Sequence, residues 1–172
     1  MLPSLYIIKA ILLLDNNGKR IISNYYDDQF ASIKEQKEFE KLLFKSTQKA
    51  NGEIIMLENL TIVYKSNVDV FFYVIGSTNE NEIILVSVLN CIHDSLSRIF
   101  RKNIEKKYLI ENMDSVLLTI DEICDQGILL ESDPNQVAQR VSFKETDIPV
   151  GEQTVFDVLR SAREQIKTSM FK

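Results

Sequence analysis

The sequence predicts an α+β fold in which helices cover both faces of a largely antiparallel sheet. Residues 68–75 are almost continuously apolar, and a strand that is apolar on both faces must be covered on both faces. The predicted strands are mostly separated by short turns, as in hairpins, and hairpins pair their strands antiparallel. Helical segments with recognisable N-terminal caps lie between and after these strands.

A hairpin and a capped helix are predicted at the start of the chain. Asn17-Gly18 favours a type I′ turn, because both central residues of that turn need a positive φ. Residues 5–26 are therefore predicted to form a β-hairpin. Ser32 and Glu35 have the spacing of a capping box, which marks the start of the helix that follows.

Three more strands are predicted after this helix. The helix is expected to end before Asn51-Gly52. Residues 53–57 and 60–65 are rich in β-branched and aromatic side chains and are predicted strands. A turn at residues 66–67 leads into the apolar strand over residues 68–75, which is expected to be central in its sheet.

The second half of the chain is predicted to be helical. Residues 79–82 resemble a cap, and the first half of the helix that follows is apolar nearly all round, so we expect it to be buried on more than one side. A single helix is expected over residues 105–124, with Gly127 as its C′ residue. Pro134 suits a first helical position and starts a short helix.

The chain is predicted to comprise a domain, a linker and a terminal helix. We expect one domain over residues 1–141. Residues 142–153 are polar and contain Pro149 and Gly151, which is typical of a linker. A narrow apolar stripe at helical spacing predicts a helix over residues 154–171.

Composition argues against several classes of protein. The 172 residues include 20 Lys and Arg against 25 Asp and Glu, a net charge of −5, so we expect no nucleic-acid partner. Cys91, Cys124 and His93 are the only cysteines and the only histidine. A disulfide scaffold is thereby excluded, and a zinc site nearly so.

Neither a secretory leader nor a membrane span is predicted. The first apolar run, residues 5–14, is interrupted by Lys9 and is followed by polar residues instead of a small-residue cleavage site. No apolar run reaches the roughly 18 residues of a membrane-spanning helix. The chain is therefore expected to be cytoplasmic, with reduced thiols.

Catalytic chemistry is not predicted. Cys91 and His93 lie two residues apart, and side chains two apart on a helix point to nearly opposite sides. Asp121 and Asp125 are four apart and could ligate a hard cation from one helix face. A solvated acidic face explains them as well and is the interpretation we prefer. We therefore expect no enzyme, and we assign no catalytic, cofactor-binding or metal-binding residue.

One basic stretch departs from the overall acidity of the chain. Its cations are Arg98, Arg101, Lys102, Lys106 and Lys107. They could meet anionic lipid headgroups or an acidic surface of a partner. The alternative is a solvated helix end whose charges complement the helix dipole.

Several strings of the sequence resemble one family. These are Tyr25-Tyr26-Asp27-Asp28, the strand strings at residues 60–65 and 71–76, and Ile-Leu-Leu-Glu-Ser-Asp-Pro at residues 128–134. With the segments between them, they resemble the zeta subunits of coatomer in the same order over nearly the whole chain. The small sigma chains of clathrin adaptors are similar in fold. At residues 125–127, Asp-Gln-Gly replaces a turn that is usually richer in glycine.

The resemblance implies both a fold and a role. The fold is longin-like, a five-stranded antiparallel sheet between one helix and a pair of helices, with extra C-terminal helices. The role is that of a non-catalytic small subunit of the coatomer (COPI) vesicle coat, which binds the trunk of the gamma subunit and has the other coatomer subunits as further partners. An Arf-family GTPase would recruit the complex to Golgi membranes, where the chain is peripheral and supports retrograde Golgi-to-ER and intra-Golgi transport.

Candidate partner contacts lie on the first helix, on a strand edge and in the basic stretch. The candidates are Phe39, Leu60, Ile62, Tyr64, Arg98, Arg101 and Lys102. Apolar positions near Leu60, Val63, Val86 and Val88 could line a cargo pocket, although a place in the core is favoured. Two alternatives to a coatomer role stay open, namely a longin-domain tethering or GTPase-regulating module and a sigma-type adaptor chain.

Overall fold

The computed structural model describes residues 5–48 and 53–146, with the backbone alone for residues 143–146. The chain divides into two compact units, Met1–Val141 and Ser142–Lys172. The described elements, in chain order, are β1 (Ile8–Asp15), β2 (Arg20–Tyr25), a 3-10 helix (Asp28–Phe30), α1 (Ile33–Thr47), β3 (Ile54–Leu57), β4 (Leu60–Asn67), β5 (Val70–Ser77), α2 (Glu82–Ile99), α3 (Lys106–Glu111), α4 (Met113–Ile123), β6 (Cys124–Asp125), β7 (Ile128–Leu129) and α5 (Pro134–Thr146).

Strand β5 is the centre of a five-stranded antiparallel sheet in the order β2-β1-β5-β4-β3. It pairs with β1 on one side and with β4 on the other. Its side chains are buried on both faces, with Phe72 and Val74 in one core cluster and Tyr73 and Ile75 in another. The predicted α+β fold and the central strand that is apolar on both faces are confirmed.

Helices cover both faces of this sheet. α1 packs on one face through Phe39 and Leu43, which share a core cluster with Tyr73 and Ile75. α2, α4 and α5 cover the opposite face. Their buried apolar side chains there include Leu85, Val88, Leu89, Ile92, Leu96, Val116, Ile120, Ile123, Val137 and Val141. This layering is the one that the longin-like fold implies.

The β1–β2 hairpin is present, but its turn is not of type I′. Gly18 has a φ of 73°, whereas Asn17 has no positive φ. The Asp15 carboxylate accepts hydrogen bonds from the amides of Asn17 and Lys19, both at 2.8 Å. These bonds hold the loop in a shape in which only the glycine needs a positive φ. A Cβ atom at Gly18 would also lie 2.6 Å from the Phe44 ring.

Positive φ at both central residues occurs in two other hairpins instead. Glu58 and Asn59, between β3 and β4, have φ of 50° and 60°, while Gln126 and Gly127, between β6 and β7, have φ of 47° and 86°. Gly127 therefore belongs to a hairpin, and its prediction as the C′ residue of a helix is wrong. A Cβ atom there would lie 2.5 Å from the Ile8 carbonyl oxygen, so the close approach also requires glycine.

The turn between β4 and β5 lies two residues later than predicted. β4 extends to Asn67, which pairs with Val70. The turn predicted at residues 66–67 is therefore formed by Val68 and Asp69, with Val68 at a φ of 46°. Strand pairing thus continues past the polar residues that suggested a turn.

Asn112 interrupts the helix predicted over residues 105–124 and separates α3 from α4. Its backbone has φ −120° and ψ 40°, and its side-chain amide donates to the Tyr108 carbonyl oxygen at 2.9 Å. Such a side-chain bond competes with the hydrogen bonds of the helix itself.

The first turn of α2 is less buried than predicted, because Ile83 is 76% exposed.

The capping box at the start of α1 is confirmed. The Glu35 amide donates to Ser32 Oγ at 3.2 Å, and the Ser32 amide donates to Glu35 Oε2 at 3.0 Å. α1 ends at Thr47. Residues 49–52, which include the predicted Asn51-Gly52 stop, lie outside the described residues.

α5 begins at Pro134, as predicted, and runs to Thr146. Residues 142–146, predicted as the start of a linker, are therefore helical. The remainder of that linker and the helix predicted over residues 154–171 lie outside the described residues.

A buried carboxylate, Asp15, joins the start of α3 to the β1–β2 loop. It is 1% exposed, and Lys106 Nζ donates to its Oδ2 at 2.7 Å. The Lys106 amide donates to Asp69 in the β4–β5 turn at 2.9 Å. Burial alone would raise the pKa of Asp15, but the hydrogen bonds from Lys106, Lys19 and Asn17 outweigh it and hold that pKa below its ordinary value.

A second buried carboxylate, Glu40, joins α1 to β2. It is 3% exposed. The Arg20 Nε atom donates to its two oxygens at 2.9 and 3.1 Å, and Arg20 Nη2 lies 2.7 Å from Oε1. The Tyr25 hydroxyl donates to the same Oε1 at 3.1 Å. Removing either charged partner would leave the other charge uncompensated in a poorly hydrated place.

Replacing Glu40 with alanine is expected to lower the free energy of unfolding by about 3 kcal/mol, because Arg20 loses its buried partner. Glu38 on the same helix is a matched control, since it is exposed and lies 4.0 Å from Lys34. Its alanine variant is expected to cost less than about 0.5 kcal/mol. Urea denaturation followed by circular dichroism measures both changes, and equal losses would contradict the importance of the buried pair.

Asp15→Asn is expected to reveal a pH-dependent contribution to stability. Because the folded-state pKa of Asp15 is lowered, its contribution is complete above the unfolded-state pKa of about 4 and is lost as the pH falls through the folded-state value. The variant keeps an acceptor for the backbone amides but loses the charge opposite Lys106. The difference in unfolding free energy between the two proteins, measured in urea from pH 7 downward, should therefore shrink in acid. A difference that grows on acidification would contradict this assignment.

Candidate functional site

The side chains considered for catalysis are not brought together. Cys91 is buried, with its Sγ atom 4.0 Å from Ser95 Oγ and 4.0 Å from the Glu131 carbonyl oxygen. His93 Nδ1 lies instead 3.1 Å from the Asp94 carboxylate. Burial raises the pKa of Cys91 to about 11, which makes it a poor nucleophile at neutral pH.

Cys124 and the acidic pair Asp121 and Asp125 are not arranged as a catalytic or metal-binding site either. Burial is the main cause of a raised pKa at Cys124. Asp125 belongs to β6, so it does not share a helix face with Asp121 of α4 as expected. Among residues 5–48 and 53–146, no group of three or more His, Cys, Asp or Glu side chains is placed to hold a metal ion. None of the helices in these ranges is long and apolar enough to cross a membrane.

Four of the predicted contact residues are buried in the core. Phe39, Leu60, Ile62 and Tyr64 are 3%, 1%, 0% and 7% exposed, and all four lie in the cluster beneath α1. The strand edge expected at Leu60, Ile62 and Tyr64 is not there, because β3, not β4, is the edge strand and α1 covers this face of the sheet. A partner could reach them only after α1 or β3 moved.

The positions considered for a cargo pocket also belong to the core. Leu60 lies in the cluster under α1, whereas Val63 and Val88 lie in the cluster on the opposite face of the sheet. Val86 packs against that second cluster. Because the sheet separates Leu60 from the others, the four side chains do not line one pocket.

The basic stretch divides into two parts. Lys106 is held by Asp15, and Lys107 lies 3.9 Å from Glu111. Arg98, Arg101 and Lys102 are exposed. Together with Asp94 and Ser97 they line a depression of about 600 Å³, here called the cationic depression.

The cationic depression is built at the C-terminal end of α2. Asp94, Ser97 and Arg98 share one face of the helix, since Ser97 and Arg98 lie three and four residues after Asp94. Arg101 and Lys102 follow just after Ile99, the last residue of α2. The other face of α2 packs on the sheet through Leu85, Val88 and Leu96. The sequence reasoning missed Asp94 and Ser97, although the helical spacing of Asp94 from Arg98 would have found this face.

The backbone at this helix end adopts an unusual conformation for its residues. The Lys102 amide donates to the Ser97 carbonyl oxygen at 2.8 Å, and the Arg101 amide donates to the Arg98 carbonyl oxygen at 3.3 Å. This is the bonding of a Schellman motif, whose C′ residue is usually glycine. Here Arg101 and Lys102 have φ of 50° and 70°, a conformation that costs of order 1 kcal/mol for each non-glycine residue.

Comparison with known proteins decides the family. Residues 7–148 match the model of the clathrin adaptor complex small chain family. Coatomer subunit zeta-1 of Homo sapiens is 56% identical over 170 residues, which cover 99% of this chain and 96% of that protein. Coatomer subunit zeta-2 of Mus musculus is 55% identical and covers 99% of this chain and 83% of that protein. The chain belongs to the coatomer zeta subunit family.

More distant proteins agree with this assignment. Coatomer subunit zeta-1 of Arabidopsis thaliana is 41% identical and covers 96% of this chain and 97% of that protein. Among solved structures, a chain of the homology model of the full-length AP-3 complex in a stretched open conformation has a TM-score of 0.64 and covers 95% of this chain and 99% of that chain. Its identity is 17%, so this likeness supports the fold alone. The zeta subunit therefore shares its fold with adaptor complex chains.

The buried thiols of this zeta subunit are expected to resist modification. With a pKa of about 11, Cys91 has on the order of one thiolate in a thousand at pH 8. We expect a thiol reagent such as dithionitrobenzoate to react at least about a hundredfold more slowly with the native chain than with the chain in urea. Stopped-flow absorbance measures both rates. Equal rates would mean that at least one thiol is accessible and activated.

Proposed function

We propose that the chain works as the non-catalytic small subunit of the COPI coat, with the trunk of the coatomer gamma subunit as its direct partner. The observation that carries this proposal is the 56% identity to Coatomer subunit zeta-1 of Homo sapiens along 99% of the chain. The shared sequence therefore includes the whole described fold. It also extends to a plant relative of the same name.

A subunit of this kind acts by association. If each chain binds only the folded form of the other, the complex stabilises both by mass action. A permanent association is expected to bury more than the roughly 1,600 Å² of a standard interface. The other coatomer subunits would complete the coat, and an Arf-family GTPase would bring it to Golgi membranes for retrograde Golgi-to-ER and intra-Golgi transport.

The sigma-type alternative rests on the fold. Identity to the AP-3 chain is 17%, against 56% to the coatomer relative. The fold alone does not distinguish a coat subunit from a longin-domain tethering module either. The long and nearly complete match to coatomer zeta subunits therefore favours the coatomer role over both alternatives.

Co-expression with candidate partners tests this proposal. The full tagged chain is expressed with the trunk of a coatomer gamma subunit and, as a control, with the trunk of a clathrin-adaptor large chain. We expect an equimolar complex with the gamma trunk by size-exclusion chromatography with light scattering, because the interface is permanent. We expect the unfolding temperature of the chain to rise in that complex. A chain that stays monomeric beside the gamma trunk, or that prefers the adaptor trunk, would contradict the proposal.

A further inference from the structure

We propose that the cationic depression binds an acidic segment of the large partner subunit. This inference rests on the proposed function, because it names the surface and the chemistry of the same association. The segment would present at least two carboxylates to Arg98 and Arg101, whose planar guanidinium groups bind carboxylates in a bidentate manner. Lys102 would add a third positive charge at the edge.

The first observation is that none of the carboxylates that the structure describes pairs with any of these three cations. Three other cations are each held within about 3 Å by a carboxylate, in the pairs Lys9–Asp27, Arg20–Glu40 and Lys106–Asp15. Within the described parts of the chain, no carboxylate oxygen lies within 4.0 Å of a side-chain nitrogen of Arg98, Arg101 or Lys102. The Arg98 guanidinium donates to the Asp94 carbonyl oxygen of its own helix, at 3.2 Å.

The second observation is the backbone that carries two of the cations. Arg101 and Lys102 occupy left-handed positions in which glycine would be more stable. Long basic side chains are nevertheless present at both. A conformation that is unfavourable for its residues and lies beside a depression points to a function of the side chains themselves.

The charges around the depression favour a protein segment over a membrane. The three cations line a shallow, open depression that an extended peptide can enter. The Asp94 carboxylate lies in the same depression. It would repel a continuous layer of anionic headgroups, whereas a folded partner can place its own carboxylates beside the cations and away from Asp94.

The decisive variant replaces both left-handed residues with glycine, Arg101→Gly and Lys102→Gly together. Because glycine fits a positive φ, the urea unfolding midpoint of the full chain is expected to be equal or higher. The affinity for the gamma trunk, measured by calorimetry, is expected to fall about tenfold, and its dependence on salt to weaken, because charged contacts are lost. A merely structural role could not raise stability while reducing binding.

Two further variants sharpen the test. Arg98→Gln removes the cation that the glycine pair leaves in place. It does not alter the left-handed turn, and it is expected to weaken binding to a similar degree. Lys107→Ala is the matched control, because Lys107 belongs to the same basic stretch but lies outside the depression. It is expected to leave the affinity within about twofold.

The outcomes separate this inference from the proposed function. If the unaltered chain does not bind the gamma trunk, the proposed function fails. If it binds but the glycine pair and Arg98→Gln bind equally well, or if the glycine pair lowers the unfolding midpoint, the inference is overturned and the proposed function stands. Binding of the same variants to vesicles of phosphatidylcholine and phosphatidylserine is measured as the last part of the test. If the variants lose vesicle binding but keep the gamma trunk, the depression serves a membrane and the inference is again overturned.

Discussion

Strand β5 has apolar side chains on both faces, and the need to cover both faces determines the layers of this fold. Tyr73 and Ile75 are covered by α1, and Phe72 and Val74 by the helices of the opposite layer. Burying each such side chain contributes about 1.5–3 kcal/mol, so a sheet with one bare face would lose a large part of its stability. The central position of β5 and the two helical layers follow from this requirement, whereas the antiparallel pairing follows from the short hairpin connections.

The candidate partner surface is a consequence of the same layering. α2 buries one face on the sheet, and its helical period places Asp94 and Arg98 on the opposite, solvent-facing side, with Arg101 in the turn that follows the helix. The buried carboxylates Asp15 and Glu40 connect the sheet to α3 and α1. The end of α2 is itself held by Leu96 and Phe100, which are buried in the core, and such packing positions charges that recognise a partner.

Local and nonlocal features differ in how far the sequence predicts them. The two-faced strand and the capping box depend on short-range patterns, and both are confirmed. Exposure of Phe39 and Tyr64 depends on which strand lies at the edge and on which face α1 packs, and a single helix or strand does not encode either. The type I′ turn fails because the Asp15 carboxylate, not the Asn-Gly pair alone, shapes that loop. The left-handed turn at Arg101 could not be predicted, because the sequence has no glycine there to indicate it, although the basic stretch itself is evident from the sequence.

Hydrogen exchange of the full chain, alone and in a purified complex with the coatomer gamma trunk, tests the central claim most directly. The claim is that this zeta subunit acts by association and that the end of α2 is part of the interface. The predicted result is slower exchange in the complex for amides of residues 97–103, with β5 already protected in the free chain. Unchanged exchange over residues 97–103, with new protection confined to α1 and the β3 edge, would contradict it.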